Sequence, residues 1–217
     1  MSESEHEMTV HHHAHHFANA EEEFEAGKQG MWLFLVTEVL MFGGLFVAYA
    51  MFRGLYPEMV HEAHKMLDVK MGAINTVVLI TSSITMVLGV ITAQKGQRDR
   101  SILFLVLTFI LACCFLFIKY FEYQHKFHDG LLPGAFFTNT ELKSPKTPLF
   151  FSLYFMMTGL HGIHVLIGMG LIAWLIRRTA RGDFSPYYYT PVELIGFYWH
   201  FVDLVWIGLF PLLYLVG

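Results

Sequence analysis

The sequence predicts an all-α integral membrane protein, a bundle of five transmembrane helices. Three observations carry that expectation. Of the 217 residues, 55% are hydrophobic and only 15% are charged, where a soluble domain usually carries about 25% charged residues. Five apolar runs of about 20 residues or more recur along the chain, each long enough to cross about 30 Å of hydrocarbon as a helix. No alternation of apolar and polar residues at strand period competes with them.

Residues 1–27 read as a polar arm, with His11, His12, His13, His15 and His16 followed by Glu21, Glu22, Glu23 and Glu25. A His-rich tract can bind divalent metal, but nothing here fixes a coordination geometry, and a solvated arm is the simpler expectation. The first 30 residues lack the continuous apolar core of a secretory signal, so the first span is expected to serve as the insertion signal. Residues 28–217 then form the membrane domain. Its first span, 31–52, holds one ionisable residue, Glu38, and its second, 72–93, holds none. The third, 101–123, carries Lys119 and Glu122 near its end. The fourth, 148–176, holds His161 and His164 and is long enough to cross with tilt. The fifth, 191–216, contains Glu193, His200 and Asp203.

Positive residues in short loops set the expected orientation. The loop after the second span holds Lys95, Arg98 and Arg100, and the loop after the fourth holds Arg177, Arg178 and Arg181. Both lie on the side of the N-terminus, which predicts a cytoplasmic N-terminus and, after five crossings, an external C-terminus. A net charge of −4 and the lack of a basic stripe argue against nucleic-acid binding. Cys113 and Cys114 are adjacent within an apolar run, without metal-ligand spacing, and read as small hydrophobes.

Ionisable groups inside the spans are the informative residues, because each costs at least about 2.5 kcal/mol at the bilayer centre and so needs protein partners. In Tyr198-Trp199-His200-Phe201-Val202-Asp203-Leu204-Val205-Trp206, His200 and Asp203 share a helix face and read as a His–Asp pair. Glu193, nearly two turns earlier, falls close to that face. Glu38 fits either a proton-binding, carbodiimide-reactive carboxyl or a carboxyl that pins the bundle through a hydrogen bond, with a histidine or water as its partner. His161 and His164, three apart, are half of a metal or haem site or, more simply, polar contacts between helices. The glycines at 159, 162, 168 and 170 would admit a close neighbour. Lys119 and Glu122 can neutralise each other, and Lys119 near a helix end can snorkel to the interface.

Three segments together resemble subunit III of the haem–copper terminal oxidases: KQGMWLFLVTEVLMF (28–42), GLHGIHVLIG (159–168) and VELIGFYWHFVDLVWIGLF (192–210). They fall in three of the five spans, in the family's order and spacing. The resemblance implies a short five-helix form where longer members have seven helices, the missing two forming one wall of a lipid cleft. It implies that Glu38 is the family's intramembrane glutamate, proton-linked or structural. His161, His164, Glu193, His200 and Asp203 then occupy lipid- and helix-packing positions, none of them catalytic and none a metal ligand. It further implies a non-catalytic subunit with no haem or copper of its own, set in a bacterial inner membrane. Such a subunit holds phospholipid, packs on subunit I beside subunit II and other respiratory subunits, and supports proton uptake while subunit I reduces O₂ to water. Cytochrome c is the expected electron donor, with quinol as the alternative. A stand-alone membrane metalloenzyme using His161, His164 and His200, and a transporter using Glu38, are the competing classes. The second lacks the repeated halves common in transporters.

Overall fold

A computed structural model describes residues 20–133, 136–137, 146–186 and 188–215. Among the described residues six helices follow one another: α1 (Ala20–Leu55), α2 (Pro57–His64), α3 (Val69–Gln94), α4 (Arg98–His128), α5 (Thr147–Arg181) and α6 (Thr190–Phe210), the last continued by a π-type turn, Pro211–Leu215. Five are long and apolar enough to cross a membrane: Phe24–Leu55, Val69–Gln94, Arg98–His128, Thr147–Arg181 and Thr190–Leu215. The chain is a multi-pass membrane protein, as the five apolar runs predict.

Each helix outruns its apolar stretch at one or both ends, since polar helix formers extend a helix once its apolar part is built. The largest extension is in α1, which begins at Ala20 and so takes in residues 20–27 of the segment expected to be an arm. The histidine tract lies outside the described residues. The short α2 has no counterpart in the sequence reading, which treats 53–71 as a loop. It starts on Pro57, whose fixed φ suits a first helical position, and buries Met59, Val60 and Ala63. At the start of α3 the Asp68 carboxylate accepts from the Lys70 and Met71 amides at 2.9 and 3.2 Å, a side-chain N-cap. At the other end of the bundle α5 stops at Gly182, whose φ of +84° is the left-handed cap that suits glycine.

Burial ranks the helices. In α6, 56% of the apolar window is buried, and in α1 only 6%. Thus α6 is the axle of the bundle, packed on α3, α5 and α1, and α1 is a peripheral helix with most of its surface outward. The most extensive helix pair is α3 with α4. There the Thr85 and Thr108 hydroxyls meet at 2.8 Å and Ser101 donates to the Gly89 carbonyl at 3.1 Å. The two basic loops close one end of the bundle together: the Arg98 guanidinium donates to the Ala180 carbonyl, and Gly96 lies against Pro186.

Candidate functional site: polar contacts inside the bundle

The α6 stripe is stitched to α3 by hydrogen bonds in register. Trp199 Nε1 donates to Ser82 Oγ at 2.9 Å, His200 Nδ1 meets Ser83 Oγ at 2.7 Å, and Trp206 Nε1 donates to Thr76 Oγ1 at 3.1 Å. Two tryptophans thereby bury their rings fully while satisfying their only polar atom. The expected His–Asp pair is not formed. His200 takes its partner, Ser83, from α3, and the same Ser83 hydroxyl is the polar group that faces the buried Asp203 carboxyl, without a hydrogen bond of good geometry. Sharing a helix face allows a contact between His200 and Asp203, but the hydroxyl of a neighbouring helix lies nearer the imidazole. Glu193 stands apart at the helix start, where Lys28 of α1 faces it at 3.5 Å. It ties the start of α6 to α1 and is not part of the inner stripe.

Glu38 and His164 meet across α1 and α5. Glu38 Oε2 lies 3.0 Å from His164 Nε2, with both side chains largely buried. His164 Nδ1 lies 2.8 Å from the Leu160 carbonyl oxygen. A carbonyl only accepts, so Nδ1 carries a hydrogen, and the Glu38 bond then holds one shared proton, on carboxyl oxygen or on Nε2. Phe42 caps the imidazole edge-on at 5.3 Å, and the Tyr198 hydroxyl donates to the His164 carbonyl at 3.0 Å. This pair is the main tie that the sparsely packed α1 makes to α5, and it agrees with the histidine partner expected for Glu38.

His161, one turn away, points elsewhere. Its ring sits between Phe115 and Trp206, with centroid distances of 5.7 and 5.3 Å. Neither nitrogen has a hydrogen-bond partner among the described residues. The two histidines therefore do not converge, and no three His, Cys, Asp or Glu side chains among the described residues are grouped to hold a metal ion. The glycine pattern also splits. At Gly168 a Cβ would lie 2.8 Å from two Trp199 ring atoms, the close approach expected of a small residue. At Gly162 and Gly170 it would meet nothing within 4 Å.

One cluster escaped the sequence reading. Lys119 and Glu122 do pair, at 2.7 Å, with both side chains buried inside the bundle. Lys126 bonds the other Glu122 oxygen at 3.0 Å. Tyr154 donates to Glu122 at 2.7 Å and lies 2.9 Å from the Tyr214 hydroxyl. Tyr214 also donates to Glu122 and receives Lys119 Nζ at 2.8 Å. Lys119 Nζ stands 4.5 Å from the centre of the Trp206 ring. One carboxylate thus gathers two lysines and two tyrosines from α4, α5 and the final turn. The spacing 119, 122, 126 on one face of α4 was the available signal, but the tyrosine partners come from 32 and 92 residues away.

These contacts define a class: a multi-pass helical membrane protein in which buried ionisable groups such as Glu38 and His164 pair across helices. Comparison with known proteins makes the class specific. The family model described as cytochrome c oxidase subunit III matches residues 6–217. Cytochrome c oxidase subunit 3 of Thermostichus vulcanus is 34% identical over 188 residues, covering 86% of each chain. Probable cytochrome c oxidase subunit 3 of Nocardia farcinica is 32% identical over 191 residues, again 86% of each. Cytochrome bo(3) ubiquinol oxidase subunit 3 of Pseudomonas putida is 27% identical over 188 residues, covering 87% of this chain and 84% of that one. The chain belongs to the cytochrome c oxidase subunit III family, and with it to the subunits III of haem–copper oxidases, which work in complex with other oxidase subunits.

Proposed function

We propose that this chain is the non-catalytic subunit III of a proton-pumping cytochrome c oxidase. In this proposal haem and copper reside in partner subunits, subunit I reduces O₂ to water, and the chain packs directly on subunit I, with subunit II in the same complex. It stabilises the catalytic subunit, holds phospholipid and supports proton uptake, from a bacterial inner membrane with its N-terminus in the cytoplasm.

The observation that carries the proposal is the full-length family match with relatives named for cytochrome c oxidase at 30–34% identity. The quinol-oxidase relatives stand at 26–27%, which favours cytochrome c as donor and keeps quinol as the second reading. The site geometry supports a structural role. His164 has one nitrogen on the Leu160 carbonyl and the other on Glu38, and His161 faces two aromatic rings. Glu38, with its shared proton on the outward helix α1, is the group suited to a proton-linked role.

Purification in mild detergent tests this. The expected result is co-purification with a haem-bearing subunit I and oxygen consumption driven by reduced cytochrome c. Consumption driven by quinol alone moves the chain to the quinol oxidases. Stoichiometric haem or copper on the isolated chain refutes the non-catalytic assignment.

A further inference from the structure

The outward stripe of α6 runs through Phe197, Leu204 and Ile207, all exposed. His200 falls on that stripe, three residues after the first and four before the second. On α3, Ile80 and Val87 are exposed in the same way and flank Ser83 at the same spacing. The Ser83–His200 contact at 2.7 Å is therefore a polar step in the middle of an apolar face built by two helices. The imidazole is only partly covered by its own bundle. Its Nδ1 is committed to Ser83, and Nε2 meets no hydrogen-bonding group among the described residues.

Depth makes that nitrogen informative. His200 lies ten residues into the span Thr190–Leu215, about 15 Å from its nearer end, which is half of a hydrocarbon core of about 30 Å. Headgroups and bulk water are too distant to reach it, and an acyl chain offers neither donor nor acceptor. Exposed hydroxyls elsewhere on the outer faces are satisfied within their own helix: Thr37 donates to the Phe34 carbonyl at 2.6 Å and Thr81 to the Val77 carbonyl at 2.8 Å. Nε2, at the far edge of the imidazole ring, has no such carbonyl. An unpaired polar atom in hydrocarbon is costly, so its partner has to be protein. A second copy of this chain fits poorly, because a two-fold axis would set Nε2 against Nε2 in the same tautomer, donor to donor or acceptor to acceptor. Members of this family work in complex with other oxidase subunits, which supplies a different chain.

We propose that the α3–α6 face centred on Ser83 and His200 is where a transmembrane helix of another subunit docks, bringing a hydroxyl, amide or carboxyl side chain to His200 Nε2 at mid-membrane depth. This rests on the reading of the chain as an oxidase subunit and deepens it by naming the face and the contact.

The test uses the complex purified in mild detergent, with p-benzoylphenylalanine placed at Leu204, which is one turn from His200 and 64% exposed. Irradiation and mass spectrometry are expected to find an adduct on a transmembrane segment of another subunit, one that carries a hydroxyl, amide or carboxyl side chain at the depth of His200. Adducts with lipid or detergent alone, with a second copy of this chain, or with a segment lacking any such side chain overturn the proposal. The complementary variant is His200→Leu. It should speed the departure of the chain from the complex on dilution into detergent by about three- to twenty-fold, the worth of one interhelical hydrogen bond. Ser83→Ala removes the inner contact and keeps Nε2, so it should leave that rate unchanged. Equal acceleration by both variants makes His200 an internal contact only and overturns the proposal. The two readings fail separately. Lipid-only adducts within an assembled oxidase sink the face and leave the subunit reading intact, whereas a Leu204 adduct on a helix of some other defined complex sinks the oxidase reading and leaves the face. Purification of the chain as a lone monomer overturns both.

Discussion

Glu38 and Glu122 are both buried carboxylates, and their surroundings predict opposite responses to substitution. Glu38 faces one partner, His164, which has already committed its Nδ1 hydrogen. A glutamine amide in place of the Glu38 carboxyl can donate to Nε2 from the same position. Glu38→Gln is therefore expected to leave complex yield and thermal stability unchanged while removing the exchangeable proton. Its effect should appear only in proton-linked readouts, such as inactivation over many turnovers. Unchanged behaviour there would leave Glu38 a purely structural group. Glu38→Ala, by contrast, strands a buried imidazole and should cost about 1–3 kcal/mol in thermal unfolding. Glu122 neutralises two lysines and orders two tyrosines. Glu122→Leu leaves both ammonium groups without their counter-charge and should cost about 3–5 kcal/mol, seen as loss of accumulated protein. Adding Lys119→Met and Lys126→Met to that variant should recover much of the loss, because the charges are then gone together.

At the scale of elements, the pairing of α5 with α6 turns on one glycine. Gly168→Ala would push a methyl to within 2.8 Å of the Trp199 ring, and Trp199 is itself held by Ser82. The helices must separate, at an expected cost of about 1–3 kcal/mol. Gly170→Ala, two residues on and in open space, should be neutral or stabilising by up to about 1 kcal/mol, since alanine is the better helix former. Thermal unfolding of the two variants side by side checks this contrast, and equal losses would mean that Gly168 is not a packing contact. The same glycines show how far the sequence was legible. Their spacing announced a small-residue face, but which of them touches a neighbour depends on the rotation of α5 about its axis. That rotation is set by Tyr154, His164 and Gly168 meeting α4, α1 and α6, contacts with no local signature.

For the whole molecule, the two basic loops meet at one end through Arg98 and Ala180, concentrating positive charge there. By the positive-inside rule that end is expected to face the cytoplasm. In a background with Cys113 and Cys114 replaced, a cysteine at Gln97 is expected to react with a membrane-impermeant thiol reagent only from the cytoplasmic side, and one at His128 only from outside. The reverse pattern would invert the topology. The bundle's lopsided burial, with α6 as axle and α1 largely outward, is also a property of the whole. An apolar helix of low burial suits a protein whose remaining contacts are lipid and partner subunits.

The sequence alone determined the class, the number of spans and the end at which positive charge collects, because hydrocarbon thickness and the cost of buried charge act on local composition. It also marked Glu38, His161, His164, Glu193, His200 and Asp203 as residues needing an account. Tertiary structure decided their partners. Glu38 found His164 across 126 residues and His200 found Ser83 across 117. Asp203 faces the same Ser83 hydroxyl that His200 meets, and the Lys119–Glu122 pair proved to be the centre of a buried network. The physical reason is that helix periodicity fixes which residues share a face, whereas hydrogen bonds form with whichever side chain the packing of another helix brings within about 3 Å.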